Sequence, residues 1–321
     1  MSGYQLAGHE LESPLVNAAG SINGVSTEGI LREVSDLAQT GIGAITVGSF
    51  TVPPQAGNEA RFGAPIYYYD AETRTTYNSM GLPNIGIEAA VRLSPSLTTR
   101  AHAMGKIVIS SGSPTNASEY GSSVAQAARL AYELLETDAD LVEVNVSCPN
   151  VVDSGGGRKP IMGYDLESME ELLARLDAEV GVTGRLGLKL PPYLSVEDRL
   201  LVPRIAAMLQ GRHVFRFLVT SNTIPNQVPR HADSRPLLAV PEGTSGMSGP
   251  STKEVGREQL VLWRQHTDLD IISTLGVDSG HEINCRLQLA ANAVGGVTFL
   301  WQSSNWKVAV TEMLTGFAEE Q

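Results

Sequence analysis

The sequence predicts an α/β fold, a single-domain (β/α)8 TIM-type barrel over residues 1–321, and three observations carry that expectation. Short β-branched runs alternate with longer amphipathic runs from end to end, the pattern of a parallel sheet with helical crossovers. Eight such pairs can be counted, the number a closed barrel requires. No Pro/Gly/Ser linker, low-complexity tract or short-period repeat divides the chain.

The first pair is Leu15 to Ala19 with Thr27 to Gln39, where Ile30, Leu31, Val34 and Leu37 recur at helical spacing. Ala44 to Val47 with Gly86 to Met104, Lys106 to Ser110 with Ala117 to Leu135, and Leu141 to Val146 with Asp165 to Val180 follow. The second half repeats the scheme: Arg185 to Leu190 with Val196 to Leu209, then Phe215 to Thr220 with Thr252 to His266. Leu269 to Thr274 with Gly280 to Ala291 and Gly296 to Leu300 with Val308 to Glu319 complete it. The rival, an open doubly wound sheet, would carry GxGxxG at its first strand-helix turn, where this chain has Asn17-Ala18-Ala19-Gly20-Ser21. Two connections are long, Gly48 to Ile85 and Ser221 to Ser251, and both lie where a barrel builds its active site.

Composition narrows the function classes. A net charge of -12, with no Lys/Arg stripe, speaks against a nucleic-acid partner. No apolar run of about 18 residues occurs, and Met1 to Gln5 lacks a basic-then-apolar leader pattern, so a cytoplasmic protein without membrane contact is expected. The two cysteines, Cys148 and Cys285, fall in different units, with no CxxC pair and no HExxH. Neither a disulfide framework nor a structural zinc or iron-sulfur site is expected. Cys285 lies within the seventh helix and reads as packing.

Strand ends deliver amides, an amine and a thiol to one rim. They are Asn145-Val146-Ser147-Cys148-Pro149-Asn150 after strand four, Lys189-Leu190-Pro191-Pro192-Tyr193 after strand five and Thr220-Ser221-Asn222-Thr223 after strand six. The long second connection adds Asn78-Ser79-Met80-Gly81-Leu82-Pro83-Asn84. Asparagine offers a donor and an acceptor at fixed span, so several around one cavity suit a flat heterocycle bearing N–H and C=O groups; turn capping is the plain alternative for each. Lys189 needs an anion or polarised carbonyl, such as the N1–C2=O edge of a reduced flavin, unless it closes a salt bridge across the mouth. Cys148 is the cysteine on this face and the candidate proton acceptor, if its surroundings tune it. Gly276 and Gly280, after strand seven, are either turn glycines or part of a phosphate site. No Ser-His-Asp or paired-carboxylate set is visible, which favours proton-plus-hydride chemistry over hydrolysis.

Together Asn78 to Asn84, Asn145 to Asn150, Lys159-Pro160 with Gly163-Tyr164-Asp165, Gly187 to Tyr193 and Asn222-Thr223 resemble the class 1 dihydroorotate dehydrogenases, and within them class 1A. The resemblance runs through almost the whole chain. It implies a barrel binding one FMN and the oxidation of dihydroorotate to orotate in pyrimidine biosynthesis. The cysteine matching Cys148 takes the C5 proton while the C6 hydride passes to flavin N5. Asn78, Asn145, Asn150, Asn222 and Thr223 match substrate-holding positions, as do the backbones of Met80, Gly81 and Leu82. Ala19, Gly20, Gly48, Ser49, Asn145, Lys189, Thr220, Gly249, Gly276 and Val277 are the expected FMN contacts. A cytosolic homodimer using a soluble acceptor such as fumarate is implied as well.

Three departures stand against that pattern. Gly48 replaces a lysine that contacts flavin and substrate in the family. Phe299-Leu300-Trp301-Gln302 stands where phosphate-binding glycines are expected after strand eight. The loop from Val151 to Arg158 is longer and richer in glycine than usual. Beside dihydroorotate oxidation two readings therefore stay open: a related FMN oxidoreductase acting on a different carboxylated or dihydropyrimidine-like ring in a specialised pathway, and a non-catalytic flavin-binding or assembly protein.

Overall fold

Strands buried on both faces read as mostly apolar runs rather than as an alternation. In the computed structural model, which describes residues 3–22, 24–115, 117–149, 160–181 and 183–320, the β-branched runs become such strands. Eight of them, Leu15–Asn17, Ala44–Phe50, Ile107–Gly112, Leu141–Asn145, Leu186–Leu190, Phe215–Thr220, Asp270–Ser273 and Ala293–Gly296, close into a parallel barrel in chain order. Helices cover the outside, and their starts are set by side chains that accept backbone N–H groups: Ser26 from Gly29, Ser122 from Ala125, Asp165 from Glu167 and Asn305 from Lys307.

The eighth strand corrects the sequence reading. It ends at Gly296, paired opposite Asn17, and Thr298–Trp301 is a turn of helix rather than strand. Ala293-Val294-Gly295-Gly296 carries a weak β signal because its small residues suit a crowded seam, whereas Val297 to Leu300 looks β-branched and bulky. The fifth helical run is likewise two pieces, Val196–Arg199 and Leu201–Leu209.

The interior is divided by height. Val16, Ala44, Ile109, Leu141, Phe217, Val219, Ile272 and Ala293 form one apolar cluster low in the barrel. A hairpin of Tyr4–Leu6 and His9–Leu11 joins that cluster through the buried Leu6 and Leu11. Nearer the strand C-termini the buried side chains turn polar: Ser49, Ser111, Glu143, Asn145 and Lys189.

The two long connections interlock. Tyr67–Asp70 and Thr75–Asn78 from the first, with Ile224–Gln227 and Ser245–Ser248 from the second, form one four-stranded antiparallel sheet. Tyr68 and Tyr77 stack at 6.3 Å beside a small core of Ile66, Leu238 and Val240. Cys285 is half-buried rather than packed inside: its Sγ lies 3.4 Å from His281 Nε2, whose Nδ1 is 3.0 Å from Glu320.

Arg286, wholly buried, fixes the rim after strand seven. It donates to Glu282 Oε1 at 2.5 Å, Ser273 Oγ at 2.7 Å, and the carbonyls of Thr274, Leu275 and Lys253 at 3.1, 3.0 and 3.1 Å. Replacing Arg286 by Met strands these acceptors and leaves Glu282 with Arg257 alone, so thermal unfolding should show a loss of about 3–5 kcal/mol. Arg286→Lys should not recover it, since an ammonium cannot span so divided a set of acceptors.

Candidate active site

The C-terminal rim opens on a cavity whose space, counted out into the open solvent at its mouth, is about 990 Å³. Strand ends and the interlocked sheet wall it, because alternation along Thr75–Asn78 sends Thr76 and Asn78 to the cavity and Tyr77 to the far side. Of the expected substrate contacts, Asn78, Met80, Gly81, Leu82, Asn145, Asn222 and Thr223 line it, as does Cys148. Of the expected cofactor contacts, Ala19, Gly20, Ser49, Lys189, Gly249, Gly276 and Val277 do so too. Asn150, Lys159 and the Val151 to Arg158 loop lie outside the described residues.

Gly48 and Thr220 are not on the cavity wall. Thr220 is fully buried at the end of strand six, and its hydroxyl has no hydrogen-bond partner among the described residues. Gly280 is turned to packing against Gly316 and Phe317 rather than to the cavity. Sequence reasoning also missed wall residues: Thr76 and Ser248 on the sheet, Thr274 and Leu275 after strand seven, and Gly296, Val297, Thr298 and Trp301 after strand eight. The placement of strand eight hid the last group. A glycine does stand at that turn, so the expectation of a lost glycine there is corrected.

Lys189 leaves strand five directly opposite Asn145 and is only 4% exposed. Its Nζ donates to the Ala19 carbonyl at 3.3 Å, and among the described residues no carboxylate pairs with it. A buried ammonium with only a carbonyl neighbour is costly until an anion or electron-rich oxygen arrives. Among the described residues, then, the salt bridge across the mouth that sequence left open does not form.

Asn145 Nδ2 donates to Ser49 Oγ at 3.0 Å, and its Oδ1 accepts from Ser147 N at 3.1 Å and Ser147 Oγ at 2.8 Å. Asn222 Nδ2 donates to Ser147 Oγ at 3.0 Å, and its Oδ1 accepts the Thr223 N–H at 2.8 Å. Thr223 Oγ1 is buried without a partner among the described residues. Asn145 oxygen is therefore spent, while N–H and O–H groups remain for a ligand. On the rim after strand seven, Gly276 at φ 84° brings its backbone so near the Lys253 turn that a Cβ would sit 2.4 Å from Lys253 Cα. Asp278 beside it takes both Lys253 at 2.9 Å and Arg74 at 3.2 Å. The orphan Thr223 hydroxyl and the Lys189 ammonium, without a carboxylate among the described residues, fit a flat, acceptor-rich group such as a flavin.

Comparison with known proteins agrees with this chemistry. The family model described as dihydroorotate dehydrogenase matches residues 1–316. A dihydroorotate dehydrogenase (fumarate) of Trypanosoma brucei brucei is 26% identical over 296 residues, covering 90% of this chain and 84% of that protein. The Trypanosoma cruzi protein of the same name is 28% identical over 291 residues, again 90% and 84%. A dihydroorotate dehydrogenase (quinone) of Leifsonia xyli subsp. xyli is 28% identical over 314 residues, 96% of this chain and 83% of that one.

Strand two pairs Val47 with Ser110 and Phe50 with Gly112, so Gly48 and Ser49 together face Ser111 across a bulge. At φ 109° a Cβ on residue 48 would lie 2.5 Å from the Ser111 carbonyl oxygen and 2.9 Å from Phe50 N. A lysine does not fit this backbone. Gly48→Ala and Gly48→Lys are both expected to lower the unfolding free energy, measured by denaturant titration, by more than the roughly 1–3 kcal/mol of one strained residue. Gly48→Lys should also fail to raise turnover with dihydroorotate; faster turnover by the lysine variant would show that the bulge relaxes.

Proposed function

The chain belongs to the dihydroorotate dehydrogenase family, an oxidoreductase acting on CH–CH bonds, and from that premise we propose that it uses FMN to oxidise dihydroorotate to orotate with Cys148 as the base. The observation that carries this reading is the buried Lys189 ammonium, which among the described residues faces the cavity without a counter-ion. FMN, when bound, supplies the two-electron acceptor for the hydride leaving C6 of the substrate. Lys189 would hold the flavin edge that gains negative charge on reduction, and Ala19, Gly20, Ser49, Gly249, Gly276 and Val277 would hold the rest of the cofactor.

Cys148 sits half-buried on the same cavity as Asn145 and Asn222. As a thiolate it takes the C5 proton, and the electron pair of that C–H bond becomes the new C5=C6 π bond as the hydride departs. Asn78, Asn145, Asn222 and Thr223, with the backbones of Met80, Gly81 and Leu82, would hold the ring flat, because amide N–H and hydroxyl O–H groups suit its carbonyl and carboxylate oxygens. A cytoplasmic homodimer passing electrons to a soluble acceptor, fumarate, completes the proposal. The fumarate names of the trypanosomal relatives favour that acceptor, while the quinone name of the Leifsonia relative makes it the first point to assay.

One observation favours a second reading, a different dihydropyrimidine-like or carboxylated substrate. With Gly48 in place of the family lysine, Lys189 is the one lysine on the described cavity wall, so cofactor and substrate share a single ammonium. The two readings separate by experiment. Purified protein should be yellow, and anaerobic dihydroorotate should bleach it; a flavin left oxidised at saturating dihydroorotate would exclude the first reading. Cys148→Ala should retain FMN while slowing bleaching by about 10²–10⁴-fold, the usual weight of general base catalysis. Bleaching at the parent rate would place the base elsewhere.

A further inference from the structure

A chain of buried hydrogen bonds runs from the cavity into the barrel interior and ends on Glu143. Its members come from different elements: Asn222 from the loop after strand six, Ser147 and Asn145 from the end of strand four, Ser49 from the strand-two bulge, and Ser111 and Glu143 from facing positions on strands three and four. Glu143, Ser111, Ser49, Asn145 and Ser147 are each at most 3% exposed, so water does not compete for their bonds.

The proton order along this chain follows from its terminus. A carboxylate only accepts, so Ser111 Oγ, 2.6 Å from Glu143 Oε1, spends its single proton there. Ser111 must then accept from Ser49 Oγ at 2.8 Å, a contact whose heavy atoms alone leave either direction open. Ser49, its proton spent, must accept from Asn145 Nδ2 at 3.0 Å. That turns Asn145 Oδ1 toward Ser147, which gives it both N–H and O–H. Ser147 Oγ can now only accept, and Asn222 Nδ2 supplies the donor at 3.0 Å. The bulge at Gly48 is what brings Ser49 opposite Ser111, so the glycine and the chain are parts of one device.

We propose that Glu143 is a positioning residue that fixes the amide orientation of Asn145 and, through Ser147, of Asn222, so that both present N–H donors to the ligand. The proposal deepens the dihydroorotate reading, on which its choice of ligand rests. It accounts for a carboxylate kept in the barrel interior at a desolvation cost: a neutral terminus would let the chain run in either direction and the site would lose its preference for carbonyl and carboxylate acceptors.

The test uses FMN-loaded enzyme titrated with orotate, followed by the flavin absorbance. Glu143→Gln should weaken orotate binding about tenfold, the scale of one charge-assisted hydrogen bond, with FMN content unchanged. Ser111→Ala, which cuts the chain above Glu143, should give the same loss and carries the test if Glu143→Gln does not fold. In an Asn145→Ala background neither change should weaken orotate further, because the effect passes through that amide. With selective ¹⁵N-asparagine labelling, the side-chain amide signals of Asn145 and Asn222 should both move in Glu143→Gln. Parent affinity in both single variants, an undiminished loss in the Asn145→Ala background, or unmoved amide signals would each overturn the proposal. If the parent holoenzyme binds no orotate, the functional reading fails, and the amide signals alone decide the role of Glu143.

Discussion

Everything on the rim depends on the ring of parallel strands being closed, and closure is thinnest between strands one and two. There the ladder amounts to one residue pair, Val16 with Ala44. Asn17 continues it with a side chain: Oδ1 accepts the Thr46 N–H at 2.8 Å, and Nδ2 donates to the Thr46 carbonyl at 2.7 Å. An amide side chain here does the work of a peptide group, satisfying a strand whose backbone has run out of neighbours. Nδ2 also reaches Ser21 Oγ at 2.7 Å, which ties the seam to the turn carrying Ala19 and Gly20. The same side chain thus closes the barrel and shapes one wall of the cavity.

Height in the barrel sorts stability from chemistry. The low cluster around Phe217 and Ile272, stoppered by Leu6 and Leu11, is dry and apolar and supplies burial energy without polar debts. Above it most inward polar groups of the described residues have a partner; on the cavity wall Thr223 Oγ1 has none and Lys189 has only the Ala19 carbonyl. Unmet polar groups in an otherwise satisfied interior mark where a ligand completes the structure.

The barrel, its order and most of the cavity wall were legible in the sequence because periodicity and strand-end residues obey local rules. Asn145, Cys148, Lys189 and Asn222 stand at strand ends, and a strand end fixes a residue's height on the rim. What stayed hidden depends on partners distant in the chain. Gly295 and Gly296 form a strand because strand one is beside them, not because glycine favours one. That position 48 requires glycine on this backbone shows only once the bulge opposite Ser111 puts a Cβ there against the Ser111 carbonyl. Trp301 and Thr76 reach the wall only through the helical turn after strand eight and the sheet over the rim.

That sheet has a consequence for how such a site changes over time. Its strands come as two adjacent pairs from two insertions about a hundred and fifty residues apart, joined where the strand bearing Thr76 and Asn78 pairs with the one bearing Ser248. Neither insertion is an independent module. Exchanging one for a relative's version would leave the other with a bare, unpaired edge. New substrate preferences at this rim would therefore arise by matched changes in both segments, and a chimera that transplants them together is the smallest unit of exchange the architecture permits.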